Sequence, residues 1–165
     1  MTDQVVEGGC LCGAVRYRIA RLGDDVAHCH CRICRRASGA AFVTWATVAR
    51  DDLEVRGRVR WFRSSRLALR GSCPVCGSQL FFAQEVDESA ATVGLPLADP
   101  PPADPRGTAM IDLTVATLDD PDRARPSRNI WVGSRLAWLH GFDANLPDHR
   151  DEGVTVPPAG DDRID

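Results

Sequence analysis

Seven cysteines in short groups constrain this chain more than any other feature: Cys10 and Cys12, then Cys29, Cys31 and Cys34, then Cys73 and Cys76. Each lies within three residues of another. Thiols at that spacing can be turned toward a common ion by a short loop, and an odd number cannot all pair as disulfides. The segment CPVCG at 73–77 has the form of a knuckle, two ligands separated by two residues and followed by Gly. Cys10-Leu11-Cys12 is a weaker signal, but the flanking Gly8, Gly9 and Gly13 permit a turn that brings both sulfurs to one side. The run CHCRIC at 29–34 places three thiols in six residues, so one loop can supply three ligands unaided.

Tetrahedral zinc takes four ligands. The simplest partition of seven is therefore four plus three. Cys10, Cys12, Cys73 and Cys76 would close one structural site and staple the N-terminal hairpin to the central sheet. Cys29, Cys31 and Cys34 would hold a second zinc with one exchangeable position, the arrangement of catalytic zinc. The alternatives are a fourth ligand from His28 or His30, a redox CxxC pair, an iron-sulfur cluster, or disulfides.

An open site with three thiolates has a chemical bias. Its net charge of about −1 weakens the Lewis acidity offered to water, so a soft ligand such as a substrate thiol suits it better. Ligation would lower that thiol's pKa and keep a nucleophilic sulfur at neutral pH. The site would then favour nearby cations, and Arg32, Arg35 and Arg36 stand in or beside the triple. They are candidates to grip substrate carboxylates in bidentate fashion, against the alternative of a solvated turn. His28 and His30 are candidates for the proton transfer on position alone.

Composition narrows the chemistry further. The chain contains no Lys, which excludes a lysine Schiff base. Residues 29–70 hold ten Arg and three acids, a local balance of +7 within a net charge of −3. That basic segment suits an anionic small molecule or surface, or is simply solvated. With no recognised binding motif and a negative net charge, no nucleic-acid partner is expected. No run approaches the roughly 18 apolar residues needed to cross a bilayer. The first residues, MTDQVVEGG, lack a leader pattern. A cytoplasmic location without membrane association is therefore expected, and there cysteines serve more often as ligands than as disulfides.

The pattern reads as mainly β, one zinc-stapled domain with few short helices. Strands are expected over Val15–Ile19, Ala40–Val48, Val59–Phe62, Leu67–Leu69, Leu80–Ala83 and Met110–Ala116. A short helical turn is expected after Cys31, through Arg35 and Arg36, ended by Ser38-Gly39. Residues 1–6 read as an N-terminal arm and 7–146 as the domain. Five prolines mark 86–108 as an inserted loop, and 147–165 read as a disordered, acidic tail. Nothing in the pattern specifies an oligomeric state.

Three ordered motifs, GGCLCGAVRY, CHCRICRRASGAAFVTW and CPVCGSQLFF, resemble the glutathione-dependent formaldehyde-activating enzymes, whose domain is shared with centromere protein V. The resemblance extends more weakly to TLDDPDRARPSRNIWVGSRLAWL and covers roughly residues 7–146. It implies a β-rich, β-sandwich-like fold with two zinc ions per chain, Cys10, Cys12, Cys73 and Cys76 as structural ligands, and Cys29, Cys31 and Cys34 as catalytic ligands. It also implies a carbon-sulfur lyase that adds glutathione sulfur to formaldehyde, giving S-hydroxymethylglutathione. Family members often carry His before the Ile-Trp pair, where this chain has Asn129. The rival reading is a non-enzymatic, zinc-stabilised interaction module with a basic face.

Overall fold

The computed structural model describes residues 5–65, 68–84, 109–139, 141–142 and 145–149. Among them are ten strands, one α-helix and short 3-10 turns. Strands β1 (Val6–Gly9), β2 (Arg16–Ile19) and β5 (Leu53–Arg56) form an antiparallel sheet in the order β1-β2-β5. The remaining strands are β3 (Val26–Cys29), β4 (Val43–Ala49), β6 (Arg60–Ser65), β7 (Ala68–Ser72), β8 (Gln79–Gln84), β9 (Met110–Thr114) and β10 (Arg128–Ile130). They make a seven-stranded sheet in the order β10-β3-β4-β9-β8-β7-β6. All of its neighbours are antiparallel except β10, which runs parallel to β3.

Side chains alternate across a strand, and that alternation builds two apolar layers. On one face of the large sheet Val26, Ala46, Val48, Leu80, Phe81, Ala83, Ile111 and Leu113 meet Val6, Tyr17 and Ile19 of the small sheet in a single core. Phe81 sits at its centre, with Tyr17 edge-on at 5.5 Å and Trp61 stacked at 6.2 Å between ring centroids. The expected sandwich-like, mainly β architecture is what the chain adopts. On the other face Ala27, Cys29, Val43, Trp45 and Ile130 form a smaller cluster with Cys34.

Helix α1 (Arg32–Ser38) follows β3 after two residues and ends at Gly39, in the left-handed region at φ 68°. This is the turn and stop expected from the sequence. The Cys31 sulfur caps its first turn by accepting from the Cys34 N–H at 3.2 Å. The six expected strands all have counterparts, with ends shifted by a few residues. Strands β1, β3, β5 and β10 were not among those expected.

The inserted loop expected at 86–108 lies outside the described residues. The tail expected from 147 has its first three residues built into the fold. Asp148 bridges to Asn129, and the His149 N–H donates to the Asn129 carbonyl at 2.9 Å. Residues 150–165 lie outside the described residues. Among the described residues no helix is long and apolar enough to cross a membrane.

Candidate metal centres

The three cysteine groups collapse into two clusters. Cys10, Cys12, Cys73 and Cys76 form one, and Cys29, Cys31 and Cys34 the other; within each, the sulfurs all lie within 4.8 Å of one another. This is the four-plus-three partition that ligand arithmetic suggested. All seven thiols are free.

The four-cysteine cluster joins two turns. Cys10 and Cys12 occupy the connection between β1 and β2, while Cys73 and Cys76 occupy the one between β7 and β8. Each turn closes through a residue at φ 76°, Gly13 in the first and Gly77 in the second, a conformation that costs a side-chain-bearing residue strain. The Gly13 N–H donates to the Cys10 carbonyl and the Gly77 N–H to the Cys73 carbonyl, both at 3.0 Å. The Leu11 N–H reaches across to the Ser78 hydroxyl at 3.1 Å, tying one turn to the other. Sulfur separations are 3.6 Å for Cys10–Cys12 and 3.8 Å for Cys12–Cys73. A tetrahedron of sulfurs at zinc-thiolate bond length has edges of about 3.8 Å. The Val15 N–H points at the Cys10 sulfur from 3.2 Å, and the Ser78 hydroxyl and backbone N–H hold Cys76 down to about 5. An all-thiol donor set with that spacing and those donors fits zinc.

The three-cysteine cluster sits at the β3–α1 junction on the far face of the large sheet. Cys29 and Cys34 are buried, and Cys31 is partly exposed. Trp45, Ile130 and Phe82 pack around them, so the sulfurs sit in an apolar surround with one solvent-facing side. Neighbouring Cys29 and Cys31 thiols, then the Arg70 guanidinium, pull Cys34 down to about 2, while Cys31 and Cys34 push Cys29 upward. Among the described residues no fourth His, Cys or carboxylate joins the three sulfurs. This donor set fits zinc with one position left for another ligand.

The two histidines weighed as a fourth ligand are engaged elsewhere. His28 and Cys29 alternate on β3, so their side chains face opposite sides of the sheet. His28 Nδ1 pairs with the Thr44 hydroxyl at 2.9 Å. His30 is fully buried, with Nε2 at 3.0 Å from Asn129 Oδ1, and burial holds it below the ordinary imidazole value. Asn129 therefore anchors β10 to the loop that carries the cysteine triple. Two residues further on, Trp131 has φ 58°, the one positive φ outside glycine among the described residues. Its backbone strain stands beside Ile130, which pairs with Cys29.

Arg32, Arg35 and Arg36 do come together, lining a shallow surface hollow on α1. The guanidinium found against a sulfur belongs to Arg70 on β7, a residue that sequence reasoning passed over. Its Nη2 donates to the Cys34 sulfur at 3.4 Å, and its carbon lies 5.0 Å from the centroid of the Phe82 ring. The one signal available in the sequence was an Arg alternating with apolar residues inside a strand, a position where a charge needs a partner.

A small two-sheet β protein with one closed and one open cysteine cluster is a zinc-site architecture. Residues 5–107, more than half of the chain, match the family described as glutathione-dependent formaldehyde-activating enzyme. The chain belongs to that family. It is 30% identical over 77 residues to an uncharacterized lyase of Schizosaccharomyces pombe, a match covering 47% of this chain and 56% of the relative. The chain thus spans little more than half the length of that curated relative. A crystal structure of a Rhodobacter sphaeroides protein is 21% identical, with a TM-score of 0.48 over 86% of this chain and 98% of the other.

Proposed function

We propose that the chain is a zinc-dependent carbon-sulfur lyase acting on thiol-aldehyde adducts, with glutathione and formaldehyde combining to S-hydroxymethylglutathione or a closely related pair as its substrates. The observation that carries this reading is the three-cysteine cluster itself, whose sulfurs converge with no fourth protein ligand among the described residues. Cys29, Cys31 and Cys34 are the residues that would hold the catalytic zinc, and Cys10, Cys12, Cys73 and Cys76 the structural one. Zinc at the open site supplies a thiol-binding position that keeps a substrate sulfur deprotonated at neutral pH.

The chain's own side chains do the rest. Trp45, Phe82 and Ile130 keep water from two of the three ligand sulfurs. The Arg70 guanidinium offsets part of the thiolate charge. Arg32, Arg35 and Arg36, on the helix that carries Cys34, line one surface hollow and would orient carboxylates of a low-molecular-weight thiol. His28 and His30, bonded to Thr44 and Asn129, serve the packing of this corner and are assigned no proton in the reaction.

Exchange NMR on mixtures of glutathione and formaldehyde tests the proposal. The zinc-loaded protein should speed interconversion of free and adduct glutathione, and Cys34→Ser should abolish the effect while leaving the far-ultraviolet dichroism unchanged. If wild type gives no acceleration for any small thiol-aldehyde pair, the lyase reading fails and a non-catalytic zinc module takes its place.

A further inference from the structure

Arg70 is 7% exposed, yet it uses little of what a guanidinium offers. Of its five N–H donors, one is directed at the Cys34 sulfur. Nε and Nη1 are buried without any hydrogen-bond partner, and among the described residues no carboxylate pairs with the group. Buried donors left unpaired are costly, and the contact of Nη2 with the Cys34 sulfur leaves Nε and Nη1 unsatisfied. The strand positions explain how it is held there. Arg70 pairs in register with Phe82 of β8 and Phe62 of β6, and its guanidinium lies over the face of the Phe82 ring, which holds it on that side of the sheet. A fixed, buried fork with free donors beside a ligand-binding position is an anion site.

Reach selects the anion. Arg70 is at hydrogen-bonding distance from a sulfur of the cluster, so an oxygen that it also contacts must lie close to the sulfur that reacts there. The terminal carboxylates of a peptide thiol are many bonds from its sulfur. The aldehyde oxygen is two bonds away once the adduct forms.

We infer that Arg70 is the oxyanion-binding residue of the three-cysteine site, donating to the oxygen that gains charge when a thiol sulfur adds to an aldehyde carbonyl. This rests on the lyase reading above. In the step, the sulfur lone pair forms the carbon-sulfur bond and the carbonyl π pair moves to oxygen. That oxygen then takes a proton from water, and the proton lost by the thiol goes to solvent. Cleavage is the reverse.

The test compares two probe thiols by calorimetry on zinc-loaded wild type and Arg70→Met, with zinc content measured on both. Thioglycolate carries an anionic oxygen close to its sulfur, and 2-mercaptoethanol carries a neutral one. Wild type should prefer thioglycolate by roughly tenfold, and Arg70→Met should lose that preference while retaining its zinc and its affinity for 2-mercaptoethanol. In turnover, Arg70→Met should lower kcat by about 100-fold with a much smaller change in KM for the thiol. If Arg70→Met does not fold, Arg70→Lys, which keeps the charge and loses the fork, should show a reduced preference. An undiminished preference for thioglycolate in whichever variant folds overturns the inference and leaves the lyase reading standing. If neither thiol binds the wild-type protein, the lyase reading fails and this inference with it.

Discussion

Tyr17 is the one tyrosine in the chain, so its ionisation can be followed without interference. It lies in the core between the sheets, with its hydroxyl 2.7 Å from that of Thr117. Burial pushes it from 10.0 up to about 12. The folded state therefore holds this proton more tightly than the unfolded chain does. The stability linked to it is fully present below pH 10 and is lost as pH rises toward 12. Ultraviolet difference titration should show phenolate appearing near pH 12 rather than 10, and Tyr17→Phe should remove the corresponding alkaline slope from denaturation midpoints. The same variant should cost on the order of 1 kcal/mol at neutral pH through the lost hydroxyl pair. A second residue-level expectation concerns Cys34. Serine there should reduce bound zinc by about one ion per chain and leave the fold in place, because the closed cluster is built on other turns. The cysteine sites were legible in sequence because ligand spacing is a local property of short loops. Arg70 was not, because it meets Cys34 only through strand pairing across the sheet, and no short-range pattern encodes that.

At the scale of elements, the turns at Cys10–Cys12 and Cys73–Cys76 hold the β1–β2 hairpin against the end of β7 and β8. Their sulfurs are the direct link there, together with the Leu11–Ser78 bond. Cys73→Ser should therefore behave unlike Cys34→Ser. It should lose several kcal/mol and give an unfolded or molten chain by near-ultraviolet dichroism, since ligation free energy at a structural site is folding free energy. Phe81, 1% exposed and in contact with rings from both neighbours, should cost about 3–5 kcal/mol when replaced by Ala, read from urea midpoints. Strands with β-branched or aromatic apolar runs, such as β4 and β8, could be read from sequence. β10 could not: three residues, Arg-Asn-Ile, carry no period, and they become a strand because β3 offers them a parallel edge. β3 was obscured for a related reason. Its four residues are all buried rather than alternating, and they end in the first ligand of the triple.

At the scale of the molecule, the two sheets divide the labour. Their shared face supplies the hydrophobic core, and the outer face of the larger sheet carries the open cluster with Arg70, Trp45 and Phe82. That separation would let one zinc serve stability and another serve chemistry in a chain of 165 residues. Chelator treatment should therefore proceed in two stages, with loss of thiol binding before loss of the fold. The mainly β class was legible from strand patterning and the four-plus-three division from counting. The packing of the sheets was not, because it depends on long-range contacts. The measurement that bears most directly on the whole account is zinc K-edge X-ray absorption on protein purified without thiol reductants, before and after millimolar glutathione. One closed and one open site predict an average of about 3.5 sulfurs per zinc, rising to about 4 when glutathione is added. A sulfur number that stays unchanged with glutathione would contradict the open thiol-binding site.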